Sequence, residues 1–275
     1  MIEKVDLHCH STYSDGTLTP KQLLALAAER EITHLALTDH DTLQGLPQAQ
    51  AAASQHSVEF IAGLELSCTW RGQLLHIVGL GIEPKNTVLN AGVTQNQTRR
   101  RDRAKEMIED FRKVGIELKE QVATLLNGGV PTRPHFAQAL INLGYAKDKK
   151  QAFKRYLVRG KPGFVPLTWP SLTDLGGWIH AAGGVAVLAH PMRYKFTRTK
   201  LITLIEEMKV AGIHGMEVST PINDTHQIEM LARLAEDHQL YGSMGSDFHS
   251  PDQPWARLGT ARPLPDRVTP IWQAL

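Results

Sequence analysis

Short apolar runs alternate with amphipathic stretches along most of this chain of 275 residues. The runs predict seven strands, at Val5–His8, Thr33–Thr38, Glu59–Gly63, Leu74–Leu80, Val185–Ala189, Met216–Val218 and Gly242–Gly245. Helical spacing predicts helices at Thr42–Gln55, Leu172–Ala182, Lys200–Ala211 and Asp224–His238, and one after the N-cap sequence Thr19-Pro20-Lys21-Gln22. This alternation is typical of parallel βα units and predicts an α/β fold. Seven strands favour a closed barrel, although an open sheet would show the same alternation.

The alternation stops between Leu80 and Val185, where charged helical patterns replace it. These patterns predict helices at Asn96–Val114, Lys119–Leu126, His135–Leu143 and Lys149–Tyr156. Gly128-Gly129 and two nearby prolines, Pro131 and Pro134, interrupt them. We therefore predict a barrel built from residues 1–91 and 166–275, and a helical insertion over residues 92–165 that packs on it and binds substrate.

The composition narrows the class of protein. Apolar residues make up 42% of the chain and charged residues 21%, which is ordinary for a folded globular protein. No run of eighteen apolar residues occurs, which excludes a predicted membrane-spanning helix, and the first residues lack the pattern of a signal peptide. Two cysteines, Cys9 and Cys68, do not form a disulfide framework and suit a reducing compartment. We expect a cytoplasmic protein with no membrane partner and no obligate protein partner.

The net charge of +2 conceals an uneven distribution. Residues 92–165 contain 16 Lys or Arg and 7 Asp or Glu, a balance of +9, whereas the rest of the chain has a balance of −7. An acidic body with a basic segment is consistent with a metal site that serves a polyanionic substrate. A solvated helical face would give the same charge pattern.

Histidines and carboxylates collect at or near the predicted strands. Nine of them are candidate metal ligands: His8, His10, Asp15, His40, Glu65, His76, His190, Asp247 and His249. In a parallel βα barrel the ends of successive strands converge on one face, so residues far apart in sequence can meet there. Alternate residues of a strand point the same way, so His8 and His10 can hold one ion while Cys9 faces the packing side.

The number and type of these residues indicate a multinuclear metal centre. Imidazole and carboxylate together suit Zn, Mn or Fe, and nine ligands exceed what one ion needs. Glu65 is suited to bridge two ions, and paired ions stabilise both oxygens of a phosphoryl displacement. Asp41 has a simpler interpretation as a helix cap. The remaining histidines are interpreted as structural: His34, His56, His180, His214, His226 and His238.

The motifs that contain these residues resemble those of the PHP (polymerase and histidinol phosphatase) family over nearly the whole chain. They are Asp6-Leu7-His8-Cys9-His10, Leu37-Thr38-Asp39-His40-Asp41, Gly63-Leu64-Glu65, Leu75-His76, Ala189-His190-Pro191 and Gly245-Ser246-Asp247-Phe248-His249. The resemblance implies a distorted (β/α)7 TIM-like barrel with two or three divalent ions, most often Mn, with Zn or Fe as alternatives. It also implies three ligand sets: His8, His10, Glu65 and Asp247; Glu65, His76 and His190; and Asp15, His40 and His249. Many family members have histidine in place of Asp15, whose oxygen donor implies a different metal preference there.

Within this family the insertion resembles the branch of nucleoside 3′,5′-bisphosphate phosphatases, which includes 5′-to-3′ exoribonucleases. Arg133, held between Pro131 and Pro134, could bind phosphate through its guanidinium. The other candidate phosphate contacts are His135, Lys161, Ser219 and Asn223. We expect a basic cluster to steer a polyanionic substrate: Arg99, Arg100, Arg101 and Arg103.

The sequence therefore predicts a metal-dependent phosphoesterase that removes the 3′-phosphate of nucleoside 3′,5′-bisphosphates and degrades short 5′-phosphorylated RNA. We expect a hydroxide that bridges the ions, held by Glu65, Asp247 and His190, to attack phosphorus. Three alternatives stay open: a phosphatase for another small ester such as histidinol phosphate, an amidohydrolase, and a non-enzymatic nucleic-acid-binding module. An amidohydrolase would commonly need a lysine that bridges two metals, yet no lysine occurs between Lys21 and Lys85.

Overall fold

Seven strands form one sheet in chain order in this protein. The computed structural model describes residues 4–126 and 128–275. The strands are β1 Val5–Asp6, β2 His34–Leu37, β3 Glu59–Trp70, β4 Gln73–Leu80, β5 Val185–Leu188, β6 Gly215–Ser219 and β7 Tyr241–Met244. β1 to β3 pair in parallel, as do β5 to β7.

The segments that follow β1 and β7 contact each other and nearly close the sheet into a barrel. The backbone N–H of Leu7 donates to the Met244 carbonyl at 3.0 Å, and that of His10 donates to the Phe248 carbonyl at 2.9 Å. Cys9 and Phe248 form a parallel bridge. The predicted α/β barrel with seven strands is confirmed.

Nine α-helices lie in the described part of the chain. They are α1 Pro20–Glu29, α2 Leu46–Ala53, α3 Thr87–Lys113, α4 Lys119–Leu126, α5 Arg133–Asn142, α6 Lys149–Ala152, α7 Leu172–Ala181, α8 Arg198–Val210 and α9 Thr225–Asp237. A π-turn over Phe153–Leu157 continues α6, and 3-10 turns cover Pro191–Tyr194 and Ile271–Ala274. Across the described ranges, no helix is both long and apolar enough to cross a membrane.

β4 departs from the predicted parallel arrangement, because it runs antiparallel to both β3 and β5. Only Arg71 and Gly72 separate β3 from β4, and both have positive φ, 47° and 75°. A two-residue connection with positive φ at both positions joins antiparallel strands in a hairpin, so no crossover helix can intervene. β3 also extends to Trp70 rather than ending at Gly63, which places Glu65 inside the strand.

The turn before α2 also differs from the sequence prediction. α2 begins at Leu46 instead of Thr42, and its N-cap residue is Gly45, so no side chain caps the helix. Asp41 does not cap this helix: its carboxylate accepts hydrogen bonds from Arg100 Nε at 2.6 Å and Asn96 Nδ2 at 2.7 Å. Both donors belong to α3, so a fully buried ion pair joins this turn to the long helix.

α3 is a single helix of 27 residues, so the predicted start of the insertion at residue 92 lies within it. Its first part packs on the barrel, where a side chain at Gly92 would come within 2.3 Å of the Trp178 ring. Its second part contributes Met107 and Phe111 to a separate apolar cluster of the insertion helices. The Phe111 and Phe136 rings stack in that cluster with centroids 6.4 Å apart.

The buried Arg100–Asp41 pair generates a stability prediction. Replacing Arg100 by Ala leaves the Asp41 carboxylate buried without its cation, which should lower the free energy of unfolding by about 3–5 kcal/mol. Urea unfolding followed by circular dichroism measures the change. Arg101→Ala is the matched control, because Arg101 is exposed on the same helix, and its change should stay within about 0.5 kcal/mol. Equal stabilities for the two variants would contradict the prediction.

Candidate metal centre

The nine predicted ligands meet at one end of the barrel. Seven line a cavity of about 440 Å³: Asp15, His40, Glu65, His76, His190, Asp247 and His249. His8 and His10 are fully buried directly behind them, with their Nε2 atoms 3.1 Å apart. These residues therefore converge on one face of the barrel, as the sequence predicts.

The Glu65 carboxylate lies at the centre of this group. Its Oε1 is 3.0 Å from His76 Nδ1 and 3.1 Å from His190 Nε2. Its Oε2 is 2.8 Å from His40 Nδ1 and 3.4 Å from the Nε2 atoms of both His8 and His10. One carboxylate within reach of five imidazoles has the position expected of a ligand shared between ions.

Three subsets of these side chains have ligand atoms that all lie within 4.8 Å of one another: His10, Asp15, His40 and His249; His8, His10 and Glu65; and His40, Glu65 and His76. These subsets overlap with the three predicted sets but differ in three respects, the first of which is that His10 joins Asp15, His40 and His249. His40 takes the place of His190 beside Glu65 and His76, and Asp247 lies near the second subset, with its Oδ1 3.1 Å from His10 Nε2. The assignment of each residue to one ion stays a prediction.

Unsatisfied polar atoms in this cavity fit bound cations. Five predicted ligands have a buried atom without a hydrogen-bond partner: Asp15 Oδ1, His40 Nδ1, Glu65 Oε2, His76 Nδ1 and His190 Nδ1. Only two other such atoms occur in the described ranges, on Asn96 and Thr220. Leaving a buried polar atom unsatisfied costs about 1–3 kcal/mol, a cost that a coordinated cation removes. The donor set therefore fits divalent ions.

Two histidine ligands and the central carboxylate have protonation states that suit metal binding, whereas Asp15 and Asp247 outweigh burial at His249 and raise its pKa to about 9. Burial lowers the pKa of His10 to about 3 and, against the attraction of Glu65, the pKa of His76 to about 4. Both imidazoles are thus neutral near pH 7 and have a free lone pair. Burial opposes ionisation of Glu65, but the neighbouring His76 and His40 hold its pKa well below the usual range.

A carboxylate that the sequence analysis missed orients two of the histidines. Glu217 Oε1 lies 2.5 Å from His8 Nδ1, and Glu217 Oε2 accepts a hydrogen bond from the backbone N–H of His190 at 2.5 Å. Glu217 is buried on β6. A charged residue within this apolar strand was the sequence signal that could have identified it. Carboxylates of this kind fix the ring orientation of a metal-binding histidine and raise its basicity.

Arg193 and Tyr194 also border the cavity and were not predicted. The Arg193 guanidinium forms an ion pair with Asp247 Oδ2, which leaves Oδ1 facing His8 and His10. The backbone N–H of His76 donates to the Tyr194 hydroxyl at 3.0 Å. Both residues follow His190 in the 3-10 turn, so one short segment supplies a ligand, a cation and a phenol.

The backbone is strained where the ligands leave the strands. His190 and Asp247 have positive φ values of 33° and 52°, a region that residues other than glycine rarely adopt. Gly245 precedes this bend, and a side chain there would come within 2.4 Å of His8 Cβ. The absence of a side chain thus allows the end of β7 to approach the segment that contains His8.

The structure brings one of the five predicted phosphate contacts, Arg133, into the cavity. His135 is buried at the start of α5, where its Nδ1 accepts from the Thr132 backbone N–H at 3.1 Å. The other three do not line the cavity. Lys161 is exposed, the Ser219 hydroxyl donates to the Arg262 carbonyl at 2.6 Å, and Asn223 Nδ2 lies 3.5 Å from the Val218 carbonyl.

The four arginines predicted to steer substrate divide by environment. Arg99 is half-buried, Arg101 is exposed, and Arg100 is paired with Asp41. Arg103 lines the cavity with only 9% of its surface exposed. In the described ranges, neither Arg103 nor Arg133 has an acidic ion-pair partner, and burial together with Arg100 and Arg133 lowers the pKa of Arg103 to about 9. Two adjacent guanidiniums without a counter-ion indicate an anion site.

The contacts of Glu217 predict a measurable effect on metal affinity. Glu217→Gln keeps the side-chain shape but weakens the orientation of His8, which should lower metal affinity by about 10–100-fold. Competition with a chromophoric chelator measures the affinity, and circular dichroism checks the fold. Glu229→Gln, on the half-exposed surface of α9, is the matched control and should bind metal like the original protein. Unchanged affinity in Glu217→Gln would show that His8 needs no such orientation.

Comparison with known proteins places these features in a family. The PHP domain family matches residues 6–157. The 5′-3′ exoribonuclease of Haemophilus influenzae is 41% identical over 273 residues, which is 99% of both chains. The 3′,5′-nucleoside bisphosphate phosphatase of Chromobacterium violaceum is 41% identical over 276 residues, covering 100% of this chain and 97% of that protein.

Solved structures agree with the sequence comparison. A C. violaceum structure described as an amidohydrolase with bound sulfate and no metal has a TM-score of 0.91 and 40% identity, covering 98% of this chain and 95% of its own. A Bifidobacterium adolescentis protein named as a metal-dependent phosphoesterase has a TM-score of 0.86 and 26% identity, covering 97% and 94%. This chain therefore belongs to the PHP family, in the branch that contains the bisphosphate phosphatase and exoribonuclease relatives. It is a metal-dependent phosphoesterase.

Proposed function

We propose that this protein removes the 3′-phosphate of nucleoside 3′,5′-bisphosphates and releases mononucleotides from the 5′ end of short 5′-phosphorylated RNA. The observation that supports this most is the pair of unpartnered arginines, Arg103 and Arg133, in the same cavity as the metal ligands. A substrate with two phosphates could place one at the ligands and the other at the arginines. The names of the relatives from H. influenzae and C. violaceum support both activities.

The nine ligands are proposed to hold two or three divalent ions, most often Mn. A mixture of imidazole and carboxylate suits Mn, Zn and Fe better than Mg or Ca, which prefer oxygen alone. Bound divalent ions supply the positive charge that stabilises a phosphoryl group under attack and make water nucleophilic near neutral pH. The chain itself contributes the geometry, because Glu217 orients His8 and Arg193 restricts Asp247.

The insertion, residues 92–165, is proposed to bind the substrate. It packs on the barrel formed by residues 1–91 and 166–275. It supplies both unpartnered arginines. Trp169 from the barrel side lies beneath Arg103, with its ring centroid 5.6 Å from the guanidinium carbon, and Arg133 lies over the Phe153 ring at 5.8 Å. A planar guanidinium makes paired hydrogen bonds with phosphate, and an aromatic ring offers a surface for a base. This arrangement holds a nucleotide between the two parts, in a protein that we expect in the cytoplasm.

The competing functions are less consistent with the cavity. Histidinol phosphate carries a single phosphate and would leave one of the two anion positions without a partner. A lysine bridging two metals, as in many amidohydrolases, is absent from the described residues that line the cavity. A purely nucleic-acid-binding module would not require nine converging metal ligands.

Activity should depend on both the substrate and the metal. With Mn²⁺ added, the protein should release phosphate from adenosine 3′,5′-bisphosphate and adenosine 5′-monophosphate from 5′-phosphorylated RNA. Prior removal of metal with a chelator should abolish both activities, and Mn²⁺ should restore them. Phosphate release and chromatography of the nucleotides measure the products. If neither substrate is hydrolysed in the presence of Mn²⁺, Zn²⁺ or Fe²⁺, the proposed function is refuted.

Arg133 should contribute mainly to binding of the second phosphate. Arg133→Ala should raise KM for adenosine 3′,5′-bisphosphate by about tenfold or more, as expected when a hydrogen bond to a charged group is lost. It should have a much smaller effect on a substrate that lacks the 5′-phosphate, such as adenosine 3′-monophosphate. Steady-state kinetics on both substrates measure this difference, and Arg99→Ala serves as the control for charge. Equal losses on the two substrates would contradict the role of Arg133.

A further inference from the structure

Asp39 is a buried carboxylate near the metal centre that is not among the nine ligands. It lies two residues after β2, and only 2% of its surface is exposed. Its Oδ1 accepts hydrogen bonds from the Ser11 backbone N–H at 2.7 Å and from the Ser14 hydroxyl at 2.6 Å. Its Oδ2 accepts from the Ser11 hydroxyl at 2.6 Å. These three hydrogen bonds hold the turn that joins two ligands, His10 and Asp15.

The direction of the Ser14 hydroxyl follows from these contacts. The backbone N–H of Ser11 has a fixed hydrogen, so Asp39 Oδ1 acts as an acceptor. Since Ser14 Oγ lies 2.6 Å from the same oxygen, its hydroxyl donates its one hydrogen to Oδ1. The Ser14 oxygen keeps its lone pairs and lies 3.4 Å from His10 Nδ1. Toward that nitrogen it can therefore act only as an acceptor.

A proton on Nδ1 leaves the other ring nitrogen of His10 free to bind a cation. The hydrogen bond at one ring nitrogen decides which nitrogen carries the proton and which binds metal. His10 Nε2 lies 3.1 Å from Asp247 Oδ1 and 3.4 Å from Glu65 Oε2. His10 Nδ1 lies 4.0 Å from Asp15 Oδ1, so it also faces a predicted ligand. The ring thus offers two candidate ligand atoms, and the contact with Ser14 selects Nε2.

His8 has the same arrangement through a direct contact. Glu217 Oε1 lies 2.5 Å from its Nδ1, which leaves Nε2 for a cation. The Nε2 atoms of His8 and His10 then face each other at 3.1 Å with a lone pair on each. Two nitrogens bound to one ion at about 2.1 Å lie about 3.0–3.4 Å apart for bond angles of about 90–109°. The separation in the structure is therefore that of two ligands of one ion.

We propose that Asp39 and Ser14 are positioning residues that set the tautomer of His10 so that its Nε2 binds metal, an inference that rests on the proposed metal ligands. The hydrogen bonds run from the Asp39 carboxylate through the Ser14 hydroxyl to His10 Nδ1. Neither Asp39 nor Ser14 lines the metal cavity, so both act through the ligand. The same hydrogen bonds fix the turn that carries Asp15, so one buried carboxylate positions two ligands.

The tautomer can be observed in the unaltered protein loaded with Zn²⁺, which has a filled d shell and leaves NMR signals sharp. With the histidine rings labelled with ¹⁵N, correlation spectra should show the His10 proton on Nδ1 and no proton on Nε2. The signals of His10 are identified by their absence in His10→Asn. A proton on Nε2 of His10 in the loaded protein would overturn the inference.

Metal affinity should depend on the direction of the Ser14 hydrogen bond. Ser14→Ala removes the acceptor of the His10 Nδ1 proton and should lower the affinity by about 10–100-fold, as does Asp39→Ala, because each loses a partner that orients the ligand. Asp39→Asn should lose much less than Asp39→Ala. Its amide oxygen takes the place of Oδ1 opposite the Ser11 N–H, so Ser14 still donates to it. Competition between Zn²⁺ binding to the protein and to a chromophoric chelator measures the affinity, and circular dichroism checks the fold.

The matched control is Ser54→Ala. Ser54 is exposed after α2, and its hydroxyl donates to the Gln50 carbonyl at 3.0 Å, so its variant should keep the affinity within about twofold of the original. Unchanged affinity in Ser14→Ala, or equal losses in Asp39→Asn and Asp39→Ala, would overturn the positioning role while leaving the metal ligands intact. If the unaltered protein bound neither Zn²⁺ nor Mn²⁺, the proposed ligands and this inference would be refuted together.

Discussion

The buried Glu65 carboxylate is the constraint on which the rest of this structure depends. It lies within reach of five imidazoles, two of which come from the segment after β1 and three from three other strand regions. Such a concentration of donors is unfavourable in an apolar core unless cations satisfy it. The barrel supplies the rigid support, since the strand ends fix each ligand while Glu217 and Arg193 fix the orientation of the side chains.

α3 connects this centre to the surface that we propose binds substrate. Asn96 and Arg100 hold the turn that follows His40, and Arg103 lines the metal cavity about one turn later on the same helix. The spacing of the metal ligand and the anion-binding arginine is therefore set by one rigid element instead of by a flexible loop. An enzyme that must hold two phosphates at a fixed separation benefits from this rigidity, because misplacement of the substrate lowers the rate.

The metal ligands could be predicted from the sequence because each motif lies at or near a strand, and strand ends meet on one face of a barrel. The direction of β4 could not be read from its apolar pattern, which is the same for either orientation, although the short Arg71-Gly72 connection was a usable signal. Lys161, Ser219 and Asn223 were selected for their chemistry alone. Their positions depend on packing that no local pattern encodes, and so does the role of Glu217.

The contact between the segments after β1 and β7 has a consequence for the synthesis of the protein. His8 and His10 lie 239 positions before Asp247 and His249, respectively. A growing polypeptide has the former pair long before the latter pair leaves the ribosome. Domains generally fold as units during synthesis, so the cluster is completed only after the segment with Asp247 and His249 has been synthesised. A prematurely terminated product lacks part of the centre, which limits any hydrolysis of RNA by incomplete chains.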